Sequence, residues 1–399
     1  MGISQDLTRI TANAPPRLDP LTITLKHVLP DRARAVLRLH AQKNRLPMED
    51  YTVFMNGIPI TPGSERRLGG NARRDLIKEL EIDLYQRENT VRVEVSSARS
   101  VGVTERYINV PDLAREAKPA PGNLYLLAVG VNRFPKLDAG WQLHYAAKDA
   151  IGIKHAFEEL GRGLYKQVRS KILSDAEGDP PDKDRIVAAL EFIKTARAQD
   201  TVVVFFSSHG LSDPEQNYYL VPRNALPKEI RQIEQGQGEA VPSLIGWETI
   251  FEALRNTAGR RLLIVDSCKA KSIERRFGAQ WLKKRSASAR FALMVSSKGT
   301  ENSLEDGRYG HGIFTHALLQ GLMTACDGRC EGAITLWRLF DYIVPTVNRL
   351  RALDAGQQTP QLSAPEELRD MVLARPAGSW IRELHRMRNY LRQFWREGN

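Results

Sequence analysis

The histidine of Phe205-Phe206-Ser207-Ser208-His209-Gly210 and the cysteine of Asp266-Ser267-Cys268 are the side chains best placed to do chemistry in this sequence. Each stands just past an apolar, β-branched run: Thr201-Val202-Val203-Val204 before the first, Leu262-Leu263-Ile264-Val265 before the second. If those runs are neighbouring parallel strands, an imidazole and a thiol meet at one edge of a sheet. A thiol is a strong nucleophile only as thiolate, and an adjacent imidazole is the usual means of making one. The predicted chemistry is that of a cysteine peptidase, with sulfur attacking a carbonyl and imidazole moving the proton.

The elements that would position these groups are legible as periodicity. From Asn123 onward, strand patterns alternate with helical ones, the signature of an α/β fold on a mainly parallel sheet. Helices are predicted over 146–160, 183–198, 244–256 and 313–323. The carboxyl ends of parallel strands are where such sheets place their sites, and His209 and Cys268 both follow such ends. Residues 18–111 read differently, as short alternating strands divided by turns, with Asn56-Gly57 a strong tight-turn signal. That unit resembles a small immunoglobulin-like (Ig-like) β-sandwich. The Gly- and Arg-rich stretch 63–75 is expected to be a mobile loop within it. The domain plan is a tail or linker over 1–17, the sandwich over 18–111 and a linker over 112–122. The α/β domain then covers 123–365 and a helical extension 366–399. In that extension Trp380, Leu384, Met387, Leu391 and Phe394 fall on one helical stripe.

Composition narrows the function classes. A chain of 399 residues, 42% hydrophobic and 26% charged, fits a globular protein of two or three domains. No apolar run reaches the roughly 18 residues that would span a membrane, and the first residues lack the apolar core of a secretory signal. A cytoplasmic location is expected. Three cysteines, Cys268, Cys326 and Cys330, are too few for a disulfide scaffold and suit a reducing compartment. Cys326 and Cys330 flank Asp327-Gly328-Arg329 and read as a turn with incidental thiols, since no second pair completes a metal site. The net charge of +11 is spread along the chain without a nucleic-acid motif, so nucleic acid is not the expected partner. Val129-Gly130-Val131-Asn132 lacks the downstream glycines of a phosphate cradle. No metal or cofactor is predicted.

Several short motifs carry a family resemblance. They are Leu124 to Asn132, Tyr145-Ala146-Ala147-Lys148-Asp149-Ala150, His209-Gly210, Tyr218-Tyr219-Leu220-Val221-Pro222, Asp266-Ser267-Cys268, and Tyr309-Gly310-His311-Gly312-Ile313-Phe314-Thr315. In that order, from about Asn123 to Leu362, the chain resembles the caspase-like cysteine peptidases (clan CD, peptidase family C14). Within them it is similar to the bacterial metacaspases and orthocaspases. The resemblance implies an α/β/α sandwich preceded by the Ig-like domain. It makes Cys268 the nucleophile that forms a thioester, and His209 the general base or the acid that protonates the departing amine. Backbone N–H groups of Gly210 and Cys268 would form the oxyanion hole, and Gly210, lacking a Cβ, would let the chain approach the substrate. Asp149 and Asp266 would line the first specificity pocket for an Arg or Lys side chain, flanked by Ser207 and Ser296. His311 fits a family turn rather than the base.

Partners follow from that reading: a protein or peptide substrate with Arg or Lys at the cleavage site, and a protein partner for the Ig-like domain. Relatives of this type often need calcium, and calcium activation is left open here; no EF-hand loop is present, and the scattered carboxylates Asp175, Glu177, Asp179 and Asp182 are the weak candidate site. One departure stands out. The family usually continues past its cysteine with His-Ser-Gly, whereas this chain has Lys269-Ala270-Lys271. Losing that glycine could strain the loop, while the gained lysine could stabilise the thiolate; the sequence leaves both open. The alternative reading is therefore a catalytically inactive caspase-like scaffold or regulatory protein. The basic stretch 269–290 could be a self-cleavage site, a solvated loop, or a nucleic-acid patch around Trp281.

Overall fold

Alternation of apolar and polar residues builds the amino-terminal unit as a pair of antiparallel sheets. The computed structural model describes residues 14–113, 121–215, 217–236, 241–267, 291–297, 301, 303–324, 333–351 and 356–375. Its first strands are β1 (Arg17–Leu18), β2 (Thr22–Val28), β3 (Ala33–Gln42), β4 (Met48–Met55), β5 (Ile58–Pro59), β6 (Asp75–Leu84), β7 (Glu88–Ser97) and β8 (Val101–Asn109). β3 pairs with β6 along one side and with β1 and β2 along the other, while the second sheet runs β5-β4-β7-β8. Inward residues at period two, such as Ala35, Leu37 and Leu39 of β3 and Val91, Val93 and Val95 of β7, share one core. Asn56 and Gly57, with φ of 48° and 77°, form the tight turn between β4 and β5 that their identity predicts.

The stretch 63–75 is not the mobile loop that its composition suggests. Gly63–Arg66 forms a helical turn, Gly70–Arg73 a 3-10 turn, and Asp75 opens β6. Arg66 is 1% exposed. Its guanidinium donates to the carbonyls of Thr61, at 2.9 Å, and of Arg255 and Thr257 in the following domain. Those buried carbonyls need a donor, which is the physical reason the segment is fixed.

The second domain begins with β9 (Leu124–Gly130), β10 (Val168–Ser174), β11 (Thr201–Ser207), β12 (Gly210–Ser212), β13 (Tyr218–Leu220) and β14 (Ile245–Gly246). It continues with β15 (Arg260–Asp266), β16 (Ala292–Val295), β17 (Glu305–Asp306), β18 (His311–Gly312), β19 (Ile334–Thr335), β20 (Gln361–Ser363) and β21 (Val372–Ala374). Its helices are α1 (Ala146–Leu160), α2 (Lys183–Ile193), α3 (Pro227–Glu234), α4 (Trp247–Arg255), α5 (Ile313–Thr324), α6 (Leu336–Leu350) and α7 (Glu366–Arg369). The central sheet has the order β10-β9-β11-β15-β16-β20, parallel except for β20.

Strands β9, β11 and β15 are buried on both faces, which is why they read as unbroken apolar runs. Leu127, Val129, Val204 and Phe206 pack under α2 and α4 on one face. Leu126, Ala128, Phe205 and Ile264 pack under α1, α5 and α6 on the other. The result is the expected three-layer α/β/α arrangement. Because β10 and β11 lie on opposite sides of β9, the chain reverses direction across the sheet there, leaving a crevice at the carboxyl ends of β9 and β11.

Several predicted boundaries shift. The helices predicted over 183–198 and 244–256 are shorter, at Lys183–Ile193 and Trp247–Arg255. The α/β domain also runs past position 365. Leu368, Met371, Leu373 and Ala374 are buried in its core, and β21 pairs with β19, so these apolar residues belong to the domain rather than to an extension. The amphipathic pattern over 379–397 lies outside the described residues. Among the described residues, no helix is long and apolar enough to cross a membrane.

Candidate active site

The crevice at the strand-order reversal holds His209. β11 ends at Ser207, and Ser208 ties that end to the neighbouring strands, its N–H donating to the carbonyl of Asp266 and its hydroxyl to that of Val221. His209 follows, with its ring between Phe134 and Trp141, at centroid distances of 5.2 and 5.0 Å. Both aromatics come from the loop leaving β9, so the reversal itself brings them over the imidazole. Nε2 lies 2.8 Å from the carbonyl oxygen of Trp141. A carbonyl can only accept, so Nε2 carries a proton, and the neutral ring keeps Nδ1 free of one. Burial pulls the pKa of His209 below the ordinary histidine value, partly opposed by that carbonyl and by Glu305. At neutral pH the ring is therefore a neutral base with a fixed tautomer.

β11 and β15 are paired in parallel with Ser207 opposite Asp266, so positions 209 and 268 each follow a paired residue by two. Cys268 itself lies outside the described residues, as do the stretch 269–290, Cys326 and Cys330. The last described residue before it is Ser267, which is buried, accepts a hydrogen bond from the Tyr218 hydroxyl at 3.0 Å, and donates its N–H to Ser296 Oγ at 3.1 Å. Gly210 sits against the same pair. A Cβ there would lie 2.4 Å from the Tyr218 hydroxyl and 2.5 Å from Ser267 Oγ. Packing inside the protein is therefore a further demand for glycine at this position, beside whatever its N–H does for a substrate.

The carboxylates of Asp149 and Asp266 meet behind this edge. Asp149, 1% exposed in the first turn of α1, accepts from Ser207 Oγ at 3.1 Å and from the N–H of Gly312 at 3.2 Å, and pairs with His311 Nδ1 at 2.8 Å. Asp266, 5% exposed at the end of β15, accepts from Thr315 Oγ1 at 2.6 Å and from Ser303, with Ser296 also in reach. A Cβ on Gly312 would be 2.9 Å from Asp266 Oδ2 and 3.2 Å from Asp149 Oδ2, so the two carboxylates flank one point of the chain. Burial, reinforced by Glu305, lifts Asp149 well above the ordinary carboxylate range. Burial and the neighbouring Asp149 lift Asp266 to about 6. Among the described residues, no lysine or arginine forms an ion pair with either.

Four predicted residues, Asp149, Asp266, Ser207 and Ser296, are thus brought together, beside the strand ends that carry His209 and Gly210. The sequence reading missed the Trp141 carbonyl, which leaves no side-chain signal, and Ser303, which sits in no motif. It also missed what the Tyr309 to Thr315 motif is for. His311 and Gly312 serve Asp149, and Thr315 serves Asp266. His311 is buried against Asp149, away from the base position.

The scattered acids are engaged elsewhere. Asp175 accepts the N–H groups of Asn132 and Arg133, Glu177 pairs with Lys154, Asp179 with Arg185, and Asp182 with Arg223. Among the described residues, no group of three ligating side chains converges on a metal-sized site.

The family description of a caspase domain matches residues 125–372, which is more than half of the chain. No curated protein matches it. Among solved structures, a protein from Archaeoglobus fulgidus shares 11% identity over 24% of this chain and 98% of its own, with a TM-score of 0.15. A glycosyl hydrolase family 2 member from Bacteroides cellulosilyticus shares 9% identity over 72% of this chain and 36% of its own, with a TM-score of 0.18. Bacteroides uniformis β-glucuronidase 2 shares 10% over 68% of this chain and 31% of its own, with a TM-score of 0.15. Likeness this slight bears on neither fold nor function. The family match spans every strand of the parallel sheet and both positions of the histidine and cysteine, and on that ground the chain belongs to the caspase-domain family of cysteine peptidases.

Proposed function

We propose that this protein is a cysteine endopeptidase of metacaspase or orthocaspase type that cleaves after Arg or Lys. The observation that carries the reading is the pair of buried carboxylates, Asp149 and Asp266, with no cationic partner among the described residues and next to the strand ends that lead to His209 and Cys268. Burying carboxylates without a cation is costly, and a substrate guanidinium or ammonium would relieve both. His311 does not relieve them, because burial pushes its own pKa down to about 4.

In the proposed reaction the Cys268 thiol gives its proton to His209 Nδ1, and the thiolate attacks the scissile carbonyl. The developing oxyanion is held by backbone N–H groups of Gly210 and Cys268. Collapse breaks the C–N bond, and the imidazolium returns the proton to the departing amine, leaving a thioester. Water, deprotonated by the same ring, then releases the acid and regenerates the thiol. No cofactor enters these steps. The amino-terminal sandwich is proposed to be Ig-like, with a protein partner of its own, and the protein to work in the cytoplasm.

The test is hydrolysis of fluorogenic peptides ending in Arg, Lys or Asp, with calcium and with a chelator, by wild type and Cys268→Ala. Cleavage after Arg or Lys that is lost in the variant supports the proposal. Cleavage after Asp would keep the peptidase and reject the pocket. Silence in every arm would favour the inactive scaffold, for which Lys269-Ala270-Lys271 is the sequence argument.

A further inference from the structure

We infer that His311 is a specificity-determining positioning residue: it holds Asp149 as a neutral hydrogen-bond donor, orienting that carboxylate for a substrate cation without cancelling its charge. The inference rests on the proposed Arg/Lys pocket and deepens it. When Asp149 is ionised to meet a cation, its Oδ1 can only accept, so Nδ1 of His311 must carry the ring's proton. Gly312 N–H, the next donor along the chain, is shared between that atom at 3.2 Å and Oδ2 at 3.4 Å. Oδ2, which also accepts from the Ser207 hydroxyl, lies on the side where Asp266 Oδ2 lies.

The choice of imidazole has a physical reason. A lysine or arginine here would orient Asp149 equally well but would neutralise it permanently and compete with the substrate. A buried imidazole, 4% exposed with Lys148 nearby, stays uncharged. α1 is hollowed to receive it, since a Cβ on Gly152 would stand 3.2 Å from His311 Cε1 and 3.1 Å from Leu319. Gly152 lies three residues beyond Asp149, on the same face of α1, so one helix face supplies both the carboxylate and the space for its donor. The charged and titratable groups around the pair are Asp266 from β15, Glu305 from β17, Lys148 from α1 and His316 from α5.

The experiment measures binding rather than turnover. In a Cys268→Ala background, the affinity of a peptide ending in arginine is compared with that of its uncharged citrulline isostere. His311→Leu, which has no donor, should weaken the arginine peptide about tenfold and leave the citrulline peptide unchanged. His311→Asn places an N–H where Nδ1 stands and should recover most of the loss. The acid limb of arginine binding should move to higher pH in His311→Leu only. Undiminished arginine preference in His311→Leu, or failure of His311→Asn to rescue a folded variant, would overturn the inference and leave the pocket standing. If the Cys268→Ala protein binds both peptides equally, or Asp149→Asn changes nothing, the pocket and the inference fall together.

Discussion

Replacing Asp266 with asparagine should make the protein more stable at pH 8 and less stable at pH 4. The carboxyl is lifted from 3.8 to about 6, first by burial and then by Asp149. A raised carboxyl pKa means that the folded chain holds the proton more tightly than the unfolded chain does. The penalty is therefore absent below about pH 4, grows between about pH 4 and 6, and is complete above about 6. Two units of pKa correspond to about 3 kcal/mol. Asparagine does not titrate, so the variant escapes that cost. It introduces a smaller one, because the amide brings two N–H donors where the protonated acid has one O–H, and the hydroxyls of Ser303 and Thr315, which donate to the acid's oxygens, must turn to accept. That exchange costs about 1 kcal/mol and does not depend on pH. The net effect is a gain of about 2 kcal/mol at pH 8 and a loss of about 1 kcal/mol at pH 4. Equilibrium urea unfolding of Cys268→Ala with and without Asp266→Asn, followed from pH 4 to 8, reads it directly. A stability difference that stays constant with pH would refute the reasoning. It would mean that a cation already satisfies Asp266 in the folded protein, and the pocket would not be waiting for one.

Turnover should show the same group. For an arginine peptide, kcat/KM should fall as pH drops below about 6, where Asp266 takes up its proton, whereas binding of the citrulline peptide should show no such limb. Trp141→Ala keeps the carbonyl that fixes the His209 tautomer but removes the ring that meets it edge-on, so activity should fall about two- to tenfold with the tautomer preserved by NMR. Gly210→Ala forces a methyl to within 2.4 Å of the Tyr218 hydroxyl; it should destabilise by about 1–3 kcal/mol in urea unfolding and slow alkylation of Cys268. Arg66→Met strips the donor from two buried carbonyls and one part-buried one, and should cost about 2–4 kcal/mol, measured the same way.

What the sequence revealed and what it hid divide along a physical line. β9, β11 and β15 are buried on both faces, so continuous apolar runs marked them almost to the residue, and the histidine and cysteine positions after them followed. Helix ends were less legible. α2 stops at Ile193 although Lys194, Ala196 and Ala198 extend the apparent pattern, because the termini are settled by contacts with other elements. The carboxylate pair was reached through resemblance, since no periodicity connects Asp149 on a helix with Asp266 on a strand. Ser303 and the Trp141 carbonyl had no local signal at all. Their roles exist only where the chain returns to the same point, 37 residues beyond Asp266 in one case and 68 before His209 in the other. The stretch 63–75 misled for the same reason. A Gly- and Arg-rich composition signals a loop, but it cannot say that a buried carbonyl elsewhere requires one of those arginines.

That arginine also bears on what the amino-terminal sandwich does. Gly57 of its β4–β5 turn lies against the Glu367 side chain of α7, and a set of its hydrogen bonds and ion pairs with the following domain meets at the turn between α4 and β15. Arg66 donates to the carbonyls of Arg255 and Thr257, Arg255 pairs with Asp50, and Gly259 N–H donates to the Pro59 carbonyl at 3.1 Å. A helix end leaves its last carbonyls without internal partners, and here the partners come from the other domain. The approach is close enough that a Cβ on Gly63 would fall 1.6 Å from the Asn256 carbonyl oxygen. The strand that starts from this turn is β15, whose far end presents Asp266 and leads into Cys268. A module held only by a flexible tether would not fill the hydrogen-bonding needs of its neighbour's helix end. The sandwich is therefore a structural part of the caspase-domain unit, fixing the root of the strand whose tip leads into the proposed nucleophile.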